Sequence, residues 1–264
     1  MSIGYVIAGL VVGFAVGLTG VGGGSLMTPL LHLGFGIPLA TAVGTDLLYA
    51  ALTKASGVWT HARRRTVDWG IVRRLSTGSV PSAVATLVAI HMLDLHGRRF
   101  DAVISSTLSG ALILTAVTLL LRGKLYRFVN HEERFPRLLA FHRRWRGALT
   151  VLVGVVLGVL VTLTSVGAGV IGTMMVLLLY PSLPAVSVVG TEIAHAVPLT
   201  LVAGLGHLEL GTVQLSLLGS LLMGSLPGVY LGSRLGARVS DNVLRPVLAS
   251  MLLFIGLRLV FAIV

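Results

Sequence analysis

Four ionisable residues stand in or beside apolar stretches of this chain. Asp46 and Glu192 lie inside predicted membrane spans, where a charge costs about 2.5 to 3.5 kcal/mol on insertion scales. His195 follows Glu192 by three residues, which places both side chains on one helical face and suits them to proton relay. Lys54 lies about two helical turns beyond Asp46 and is suited to balance its charge or to attract an anion. We expect Asp46 and Glu192 to face the protein interior. The four residues serve proton coupling and anion attraction or, alternatively, structural pairing.

Two glycine-rich motifs interrupt apolar segments, one at Gly20–Ser25 and one at Ser165–Gly169. Broken membrane helices present unpaired N–H groups and positive dipole ends, which favour an anion. The alternative is that these glycines only permit close helix packing. A nucleotide site is disfavoured because no strand precedes the first motif and no Walker-type lysine follows it. The predicted anion-binding residues are Gly22, Gly23, Gly24, Ser25, Gly167, Ala168, Gly169, Val170, Thr45, Thr191 and Lys54.

The composition places these groups in a membrane protein. Of 264 residues, 55% are hydrophobic and 11% are charged, against roughly a quarter charged in soluble domains. Several apolar stretches reach the ~20 residues that a transmembrane helix needs, so we predict an all-α polytopic protein.

The absence of cysteine excludes disulfides and thiolate chemistry, and the histidines lack metal-ligand spacing. We expect no cofactor, no metal and no nucleic-acid partner, because the basic residues lie in loops beside apolar spans.

The sequence repeats itself at an offset of about 145 residues. Thr19–Gly24 matches Thr164–Gly169, and Val43–Asp46 matches Val189–Glu192. Further matches pair His61 with His207, Thr66-Val67 with Thr212-Val213, and Gly78–Pro81 with Gly224–Pro227. We infer two related halves.

The charges predict that the halves are inverted. Residues 63–74 carry five arginines, whereas their counterpart 206–212 has no Lys or Arg, so the positive-inside rule puts the two loops on opposite sides. The predicted organisation is an N-terminal transmembrane repeat at 1–121, a basic cytoplasmic linker at 122–146 and a C-terminal transmembrane repeat at 147–264. Each half is a Gly-broken helical hairpin plus three transmembrane helices, and both termini are extracytoplasmic.

The elements of each half follow from this scheme. The hairpins are Ile3 to Gly36 and Gly147 to Tyr180, either spanning or re-entrant. The ordinary spans begin near Pro38, Val72 and Ala102, and near Pro184, Val213 and Val243. We expect His61 and His207 to be interfacial residues at span ends. Tyr49, Trp59, Trp69 and Tyr180 are expected in the aromatic belts at the membrane surface.

Taken together, the motifs resemble the sulfite exporter TauE/SafE family of bacterial membrane permeases. The likeness rests on Gly20–Ser25, Gly44-Thr45-Asp46 with Lys54, Thr66–Trp69, Gly190–His195 and Gly224–Gly228. The resemblance implies a multi-pass protein of the bacterial inner membrane that exports sulfite, sulfoacetate or a related organosulfonate. It also implies that the proton gradient drives export, which makes the anion, protons and the lipid bilayer the partners.

Three functions compete. A secondary transporter accounts for broken helices, a repeat and buried ionisable residues at matching places. A passive anion channel would share the glycine motifs but would not need titratable Asp46 or Glu192. An intramembrane enzyme is disfavoured because no nucleophile has an adjacent base. The sequence leaves the oligomeric state open.

Overall fold

The computed structural model describes residues 3–19, 24–93, 98–130, 136–236 and 241–263. These residues form ten α-helices and one π-helical turn. The helices are α1 Ile3–Thr19, α2 Gly24–Pro29, α3 Leu39–Arg63, α4 Trp69–Met92, α5 Arg98–Asn130, α6 Pro136–Thr164, α7 Val170–Leu179, α8 Ala185–Glu209, α9 Leu215–Gly236 and α10 Asp241–Ile263, with the π-helical turn Leu30–Gly34 after α2. The predicted all-α fold class is confirmed.

Five helices among the described residues are long and apolar enough to cross a membrane. They are the segments Trp69–Met92, Phe100–Leu121, Trp145–Thr164, Ala185–Glu209 and Leu215–Leu235. Shorter apolar helices cover Ile3–Leu18, Val170–Leu179 and Pro246–Phe261. The chain is therefore built as a multi-pass membrane protein.

Helix α3 is long enough to cross a bilayer but is less apolar than these five. Its 25 residues correspond to about 37 Å at 1.5 Å per residue, yet they include Asp46, Lys54 and Arg63. The first half of the helix is shielded from lipid, because nearly all of residues 39–51 are buried. Polar groups on a membrane helix are tolerated where they face the bundle interior, so α3 forms part of the protein's centre.

Proline and aspartate fix where several helices begin. Pro38 and Pro184 occupy the N-cap positions of α3 and α8, where an extended proline leaves no unsatisfied N–H. Asp68 caps α4 by accepting hydrogen bonds from the N–H groups of Gly70 at 2.9 Å and Ile71 at 3.1 Å. The predicted span starts near Pro38 and Pro184 match these helix boundaries.

Glycines bring the backbones of α1 and α9 into contact. A Cβ added at Gly13 of α1 would stand 2.6 Å from the carbonyl oxygen of Ser225 on α9. Glycines in the same kind of contact are Gly9, Gly17, Gly224, Gly228 and Gly232 on these two helices, and Gly78, Gly154 and Gly158 between α4 and α6. Small residues at such spacing allow the close packing that holds membrane helices together. Helix packing thus accounts for many of the glycines outside the two motifs.

Helices α3 and α8 pack against each other in antiparallel directions. Gly44, near the start of α3, lies against Thr212, just after the end of α8. Gly190, near the start of α8, lies in the same way against Thr66, just after the end of α3. The same glycine-to-threonine contact therefore forms twice between the two halves. The orientation of the two halves across the membrane stays a prediction.

The turns that follow α3 and α8 are built alike. The His61 ring bonds the Thr66 hydroxyl at 2.8 Å, and the His207 ring bonds the Thr212 hydroxyl at 2.8 Å. The Nε2–H of His207 also donates to the carbonyl oxygen of Thr162 at 2.9 Å. His207 is fully buried, so it ties the end of α8 to α6 instead of lying at the predicted interface.

The second predicted hairpin contains an interrupted helix, and residues 20–23 of the first lie outside the described residues. In the second, α6 ends at Thr164 and the ten-residue helix α7 follows after a short break. In the first, α1 ends at Thr19 and α2 begins at Gly24. Helix α5 continues to Asn130 and α6 starts at Pro136, so helices extend into the predicted linker 122–146.

The aromatic-belt prediction is wrong for both tyrosines. Tyr49 is 1% exposed and Tyr180 is 6% exposed, because both have polar neighbours inside the bundle. Trp59 and Trp69 are exposed, as the belt prediction requires.

Candidate functional site

The two glycine motifs meet at one small pocket. Its volume is about 10 Å³, which is room for about one water molecule. The first motif contributes Gly24 and Ser25, and α5 contributes the buried Thr115. The second motif contributes Ser165, Val166, Gly167, Ala168, Gly169 and Val170. The fold therefore brings together residues that lie about 145 positions apart in the sequence.

The closest approach between the motifs is at Gly24. A Cβ added there would overlap the carbonyl oxygen of Ser165 and stand 3.0 Å from its hydroxyl oxygen. Only glycine fits this position without displacing the other motif. The pocket therefore depends on the missing side chain of Gly24.

The break between α6 and α7 uses two left-handed residues. Ser165 has φ 58° and Gly167 has φ 121°, so the chain leaves the helical path and then starts a new helix. The N–H of Gly172 donates to the carbonyl oxygen of Gly167 at 2.9 Å. Val170 and Ile171 stand in the first turn of α7, where an α-helix leaves its N–H groups without an intrahelical partner. The first turn of α7 thus offers donors at the pocket, where its dipole favours negative charge.

Asp46 lies beside the pocket and belongs to α3. It is fully buried, and the hydroxyl of Thr28 on α2 donates to its Oδ2 at 2.6 Å. The Ser165 hydroxyl lies near the same carboxyl group but outside hydrogen-bond geometry, and Oδ1 has no hydrogen-bond partner among the described residues. The carboxyl of Asp46 is therefore held between the two motifs.

Glu192 occupies the equivalent position on α8. It is 3% exposed, and a Cβ added at Gly172 would stand 3.1 Å from its Oε1. That oxygen has no hydrogen-bond partner. The glycine at 172 therefore makes room for the glutamate carboxyl against the first turn of α7.

Each acidic residue is followed by a second buried polar side chain. The His195 ring, three residues after Glu192, hydrogen-bonds through Nε2 to the Ser79 hydroxyl at 2.8 Å, while its Nδ1 has no partner. Tyr49, three residues after Asp46, lies near Ser225 but has no hydrogen bond of good geometry. Ser79 and Ser225 come from opposite halves of the repeat, so the two arrangements mirror each other.

Lys54 links the carboxyl groups to the second motif. Its ammonium donates a hydrogen bond to the carbonyl oxygen of Ala168, which lines the pocket. Its charge also acts on Asp46, Glu192 and His195. The lysine is half-buried and therefore supplies a positive charge at the pocket edge.

Two predicted anion-binding residues lie elsewhere. Thr45 accepts a hydrogen bond from the N–H of Gln214 at 3.1 Å, and Thr191 accepts one from the N–H of Asp68 at 2.9 Å. Both threonines are fully buried and join α3 and α8 to the loop before a helix of the other half. Anion binding by these hydroxyls stays a prediction. Gly22 and Gly23 lie outside the described residues.

The sequence analysis missed four side chains near the pocket: Thr28, Tyr49, Ser79 and Thr115. Tyr49 and Ser79 could have been found by extending the repeat, because Tyr49 aligns with His195 and Ser79 with Ser225. Thr28 and Thr115 lie in helices without any distinguishing local pattern. Among the described residues, no group of three or more His, Asp or Glu side chains could hold a metal ion.

Comparison with known proteins agrees with this architecture. The family model described as sulfite exporter TauE/SafE matches residues 5–259. The probable membrane transporter protein YjnA of Bacillus subtilis (strain 168) is 38% identical over 260 residues, which cover 98% of this chain and 100% of that protein. No solved structure matches the chain.

More distant relatives carry the same description. The probable membrane transporter protein YdhB of Bacillus subtilis (strain 168) is 27% identical over 257 residues, or 94% of this chain and 96% of that protein. The probable membrane transporter protein MJ0441 of Methanocaldococcus jannaschii is 27% identical over 273 aligned positions, or 96% of this chain and 92% of that protein. The similarity extends along almost the whole length of each protein.

Proposed function

Because the chain belongs to the sulfite exporter TauE/SafE family, we propose that it is a proton-coupled secondary transporter of a small sulfur oxyanion in the bacterial inner membrane. Sulfite, sulfoacetate and other organosulfonates are the proposed substrates. The observation that carries this proposal is a pocket lined by residues of both glycine motifs, with two buried carboxyl groups beside it.

The anion would bind at the breaks. The N–H groups at the start of α7, the hydroxyl of Ser165 and the ammonium of Lys54 are donors suited to an oxyanion. The positive dipole end of α7 adds to their attraction. Because the pocket is small, we expect the two motifs to move apart when a sulfonate enters.

The coupling proton would be carried beside the anion. An ionised carboxyl at Glu192 or Asp46 repels an anion in the pocket, whereas a protonated carboxyl does not. Protonation of these groups and occupation of the pocket are therefore linked. His195 stands one helical turn from Glu192 and has a free ring nitrogen, which suits it to pass the proton on.

We propose that the two halves are inverted across the membrane. Arg63 at the end of α3 and Glu209 at the end of α8 are equivalent positions in the repeat, and both are exposed. Single cysteines at these positions in the cysteine-free chain should react from opposite sides of intact cells. A membrane-impermeant thiol reagent should label position 209 from outside but not position 63. Labelling of both positions from outside would contradict the inversion.

Flux in liposomes tests the transport proposal. Purified protein reconstituted into vesicles should accumulate radiolabelled sulfite or sulfoacetate when a pH gradient is imposed. Vesicles without protein and vesicles whose gradient is collapsed by an ionophore are the controls. Flux that is fast but identical with and without the gradient would point to a passive anion channel, and no flux of any sulfur oxyanion would contradict the proposed substrate class.

A further inference from the structure

A second cavity of about 600 Å³ lies away from the pocket at the helix breaks. It opens where α4 begins and α7 ends. Its walls include two arginines, Arg74 of α4 and Arg146 of α6, and the buried Tyr180 that follows α7. Asp68, Gly147, Ser182 and Leu183 complete the lining. No part of the proposed transport cycle described above uses this cavity.

Tyr180 holds the two guanidinium groups near each other. The Arg146 guanidinium lies over the Tyr180 ring at 5.1 Å from the ring centre. The Nη1 of Arg74 donates a long hydrogen bond to the Tyr180 hydroxyl at 3.4 Å. That hydroxyl is fixed in turn by the Thr150 hydroxyl at 2.9 Å. Tyr180 therefore contacts both guanidinium groups, and its own position is fixed by Thr150.

The acidic residue in the lining is already engaged. The Oδ1 of Asp68 accepts the hydrogen bonds from Gly70 and Ile71 that cap α4, and the positive end of that helix offsets part of its charge. Two guanidinium groups face this one carboxylate in the lining, so the cavity carries a net positive charge. Planar guanidinium groups match the oxygens of sulfonate, sulfite and phosphate groups, to which they can donate two hydrogen bonds each.

The other half of the repeat does not reproduce these charges. Arg74 is equivalent to Ser220, which carries no charge, and Tyr180 is equivalent to Phe35, which lacks the hydroxyl that Arg74 contacts. The basic cavity therefore distinguishes one end of a repeated scaffold from the other. The cavity lies on the same side as the arginine-rich segment 63–74, which the positive-inside rule places in the cytoplasm.

We propose that Arg74 and Arg146 form an oxyanion-binding vestibule at the cytoplasmic end, which collects the anion before it reaches the helix breaks. The inference rests on the proposed transport of an oxyanion, and it deepens that proposal by giving the anion a point of entry. A cleft lined by one sign of charge raises the local concentration of oppositely charged solutes and their association rate. The gain would apply to anions approaching from the cytoplasm, as export requires.

The test uses the charge preference of a cysteine placed in the cavity. Ser182→Cys gives the cysteine-free chain one exposed thiol in the lining. Full-length protein in nanodiscs of neutral lipid is treated with a methanethiosulfonate reagent that carries either a sulfonate or a trimethylammonium group. At low ionic strength we expect the ratio of the sulfonate rate to the trimethylammonium rate to fall about tenfold or more when Arg74→Gln and Arg146→Gln are added.

Matched variants and a competitor make this result specific. Arg73→Gln removes an exposed arginine next to Arg74 that does not line the cavity, so it should leave the ratio nearly unchanged. Methanesulfonate should slow labelling by the sulfonate reagent in the Ser182→Cys parent but not in the Arg74→Gln, Arg146→Gln background. Arg74→Gln alone, at an exposed position, gives an intermediate ratio and guards against misfolding of the double variant.

Two results would overturn the vestibule. The first is an unchanged ratio in the double variant, or the absence of protection by methanesulfonate. The second is loss of that protection when the nanodiscs contain phosphatidylglycerol, because lipid headgroups would then be the oxyanions that occupy the cavity. Labelling does not require transport, so these results are independent of the liposome flux that tests the proposed function.

Discussion

The two halves place a carboxyl group at the same point of the scaffold but surround it differently. Asp46 receives a hydrogen bond from Thr28, whereas Glu192 lies against the bare backbone of Gly172. The residue one turn later is Tyr49 in the first half and His195 in the second. A repeat of backbone geometry is thus combined with different chemistry. The half that contains the imidazole has a second side chain that can take up and release a proton.

The single lysine adds a second difference. Lys54 reaches from the first half to the carbonyl oxygen of Ala168 in the second. Its counterpart in the repeat is Thr200, which is buried and bonds the Ala196 carbonyl oxygen of its own helix at 2.8 Å. The first half therefore provides the cation and the second half provides the imidazole. Neither half holds the full set of groups.

The largest effect is expected from filling the space between the two motifs. Gly24→Leu should abolish anion transport, because its side chain would collide with the backbone at Ser165. Gly219→Ala is the control, since nothing lies within 4 Å of its added Cβ. The measurement is anion flux at equal protein level, with thermal unfolding as a check. Full flux in Gly24→Leu would show that the motifs need not meet.

The next largest effect is expected from replacing Lys54, and little effect is expected from replacing its counterpart in the repeat, Thr200. Lys54→Met should weaken anion binding by about tenfold or more, because a charge-assisted hydrogen bond in a buried site is lost. Thr200→Val removes a hydroxyl that bonds only within its own helix and should change binding less than twofold. Competition binding with radiolabelled sulfite would measure both. Equal losses in the two variants would mean that Lys54 acts through the fold alone.

A smaller effect, on the pH dependence of transport, is expected at His195 and not at its counterpart in the repeat, Tyr49. His195→Gln can keep a hydrogen bond to Ser79 but cannot titrate, so it should flatten the dependence of transport rate on pH over the range measured. Tyr49→Phe removes a hydroxyl without a well-formed hydrogen bond and should keep the parental pH profile. The rates are measured in vesicles across that range. A parental profile in His195→Gln would remove the imidazole from the coupling step.

Much of this arrangement could be predicted from the sequence. Asp46 and Glu192 stood out because charges are rare and costly in apolar spans, and the structure buries both. The repeat predicted that the glycine motifs occupy equivalent places, and the structure brings them to one pocket. These signals are local or periodic, and they do not depend on how the helices pack.

The side-chain partners could not be predicted in the same way. The contact between Ser79 and His195 depends on the register between α4 and α8, and that of Thr28 with Asp46 depends on the path of the chain after the first break. Helical period fixes which face a residue occupies but not its height against a neighbouring helix. Tyr49 was assigned to the membrane surface because aromatic belts are common. Its match to His195 in the repeat was the better guide.

We propose that Glu192 carries the coupling proton beside an anion bound between the two glycine motifs. Glu192→Gln keeps the shape of the side chain but cannot titrate. In vesicles with an imposed pH gradient, this variant should lose accumulation of the anion while still exchanging labelled for unlabelled anion across the membrane. Asp46→Asn is the matched variant of the other half and should retain part of the accumulation. Accumulation by Glu192→Gln at the parental rate and level would contradict the account, because coupling would then not require this carboxyl group.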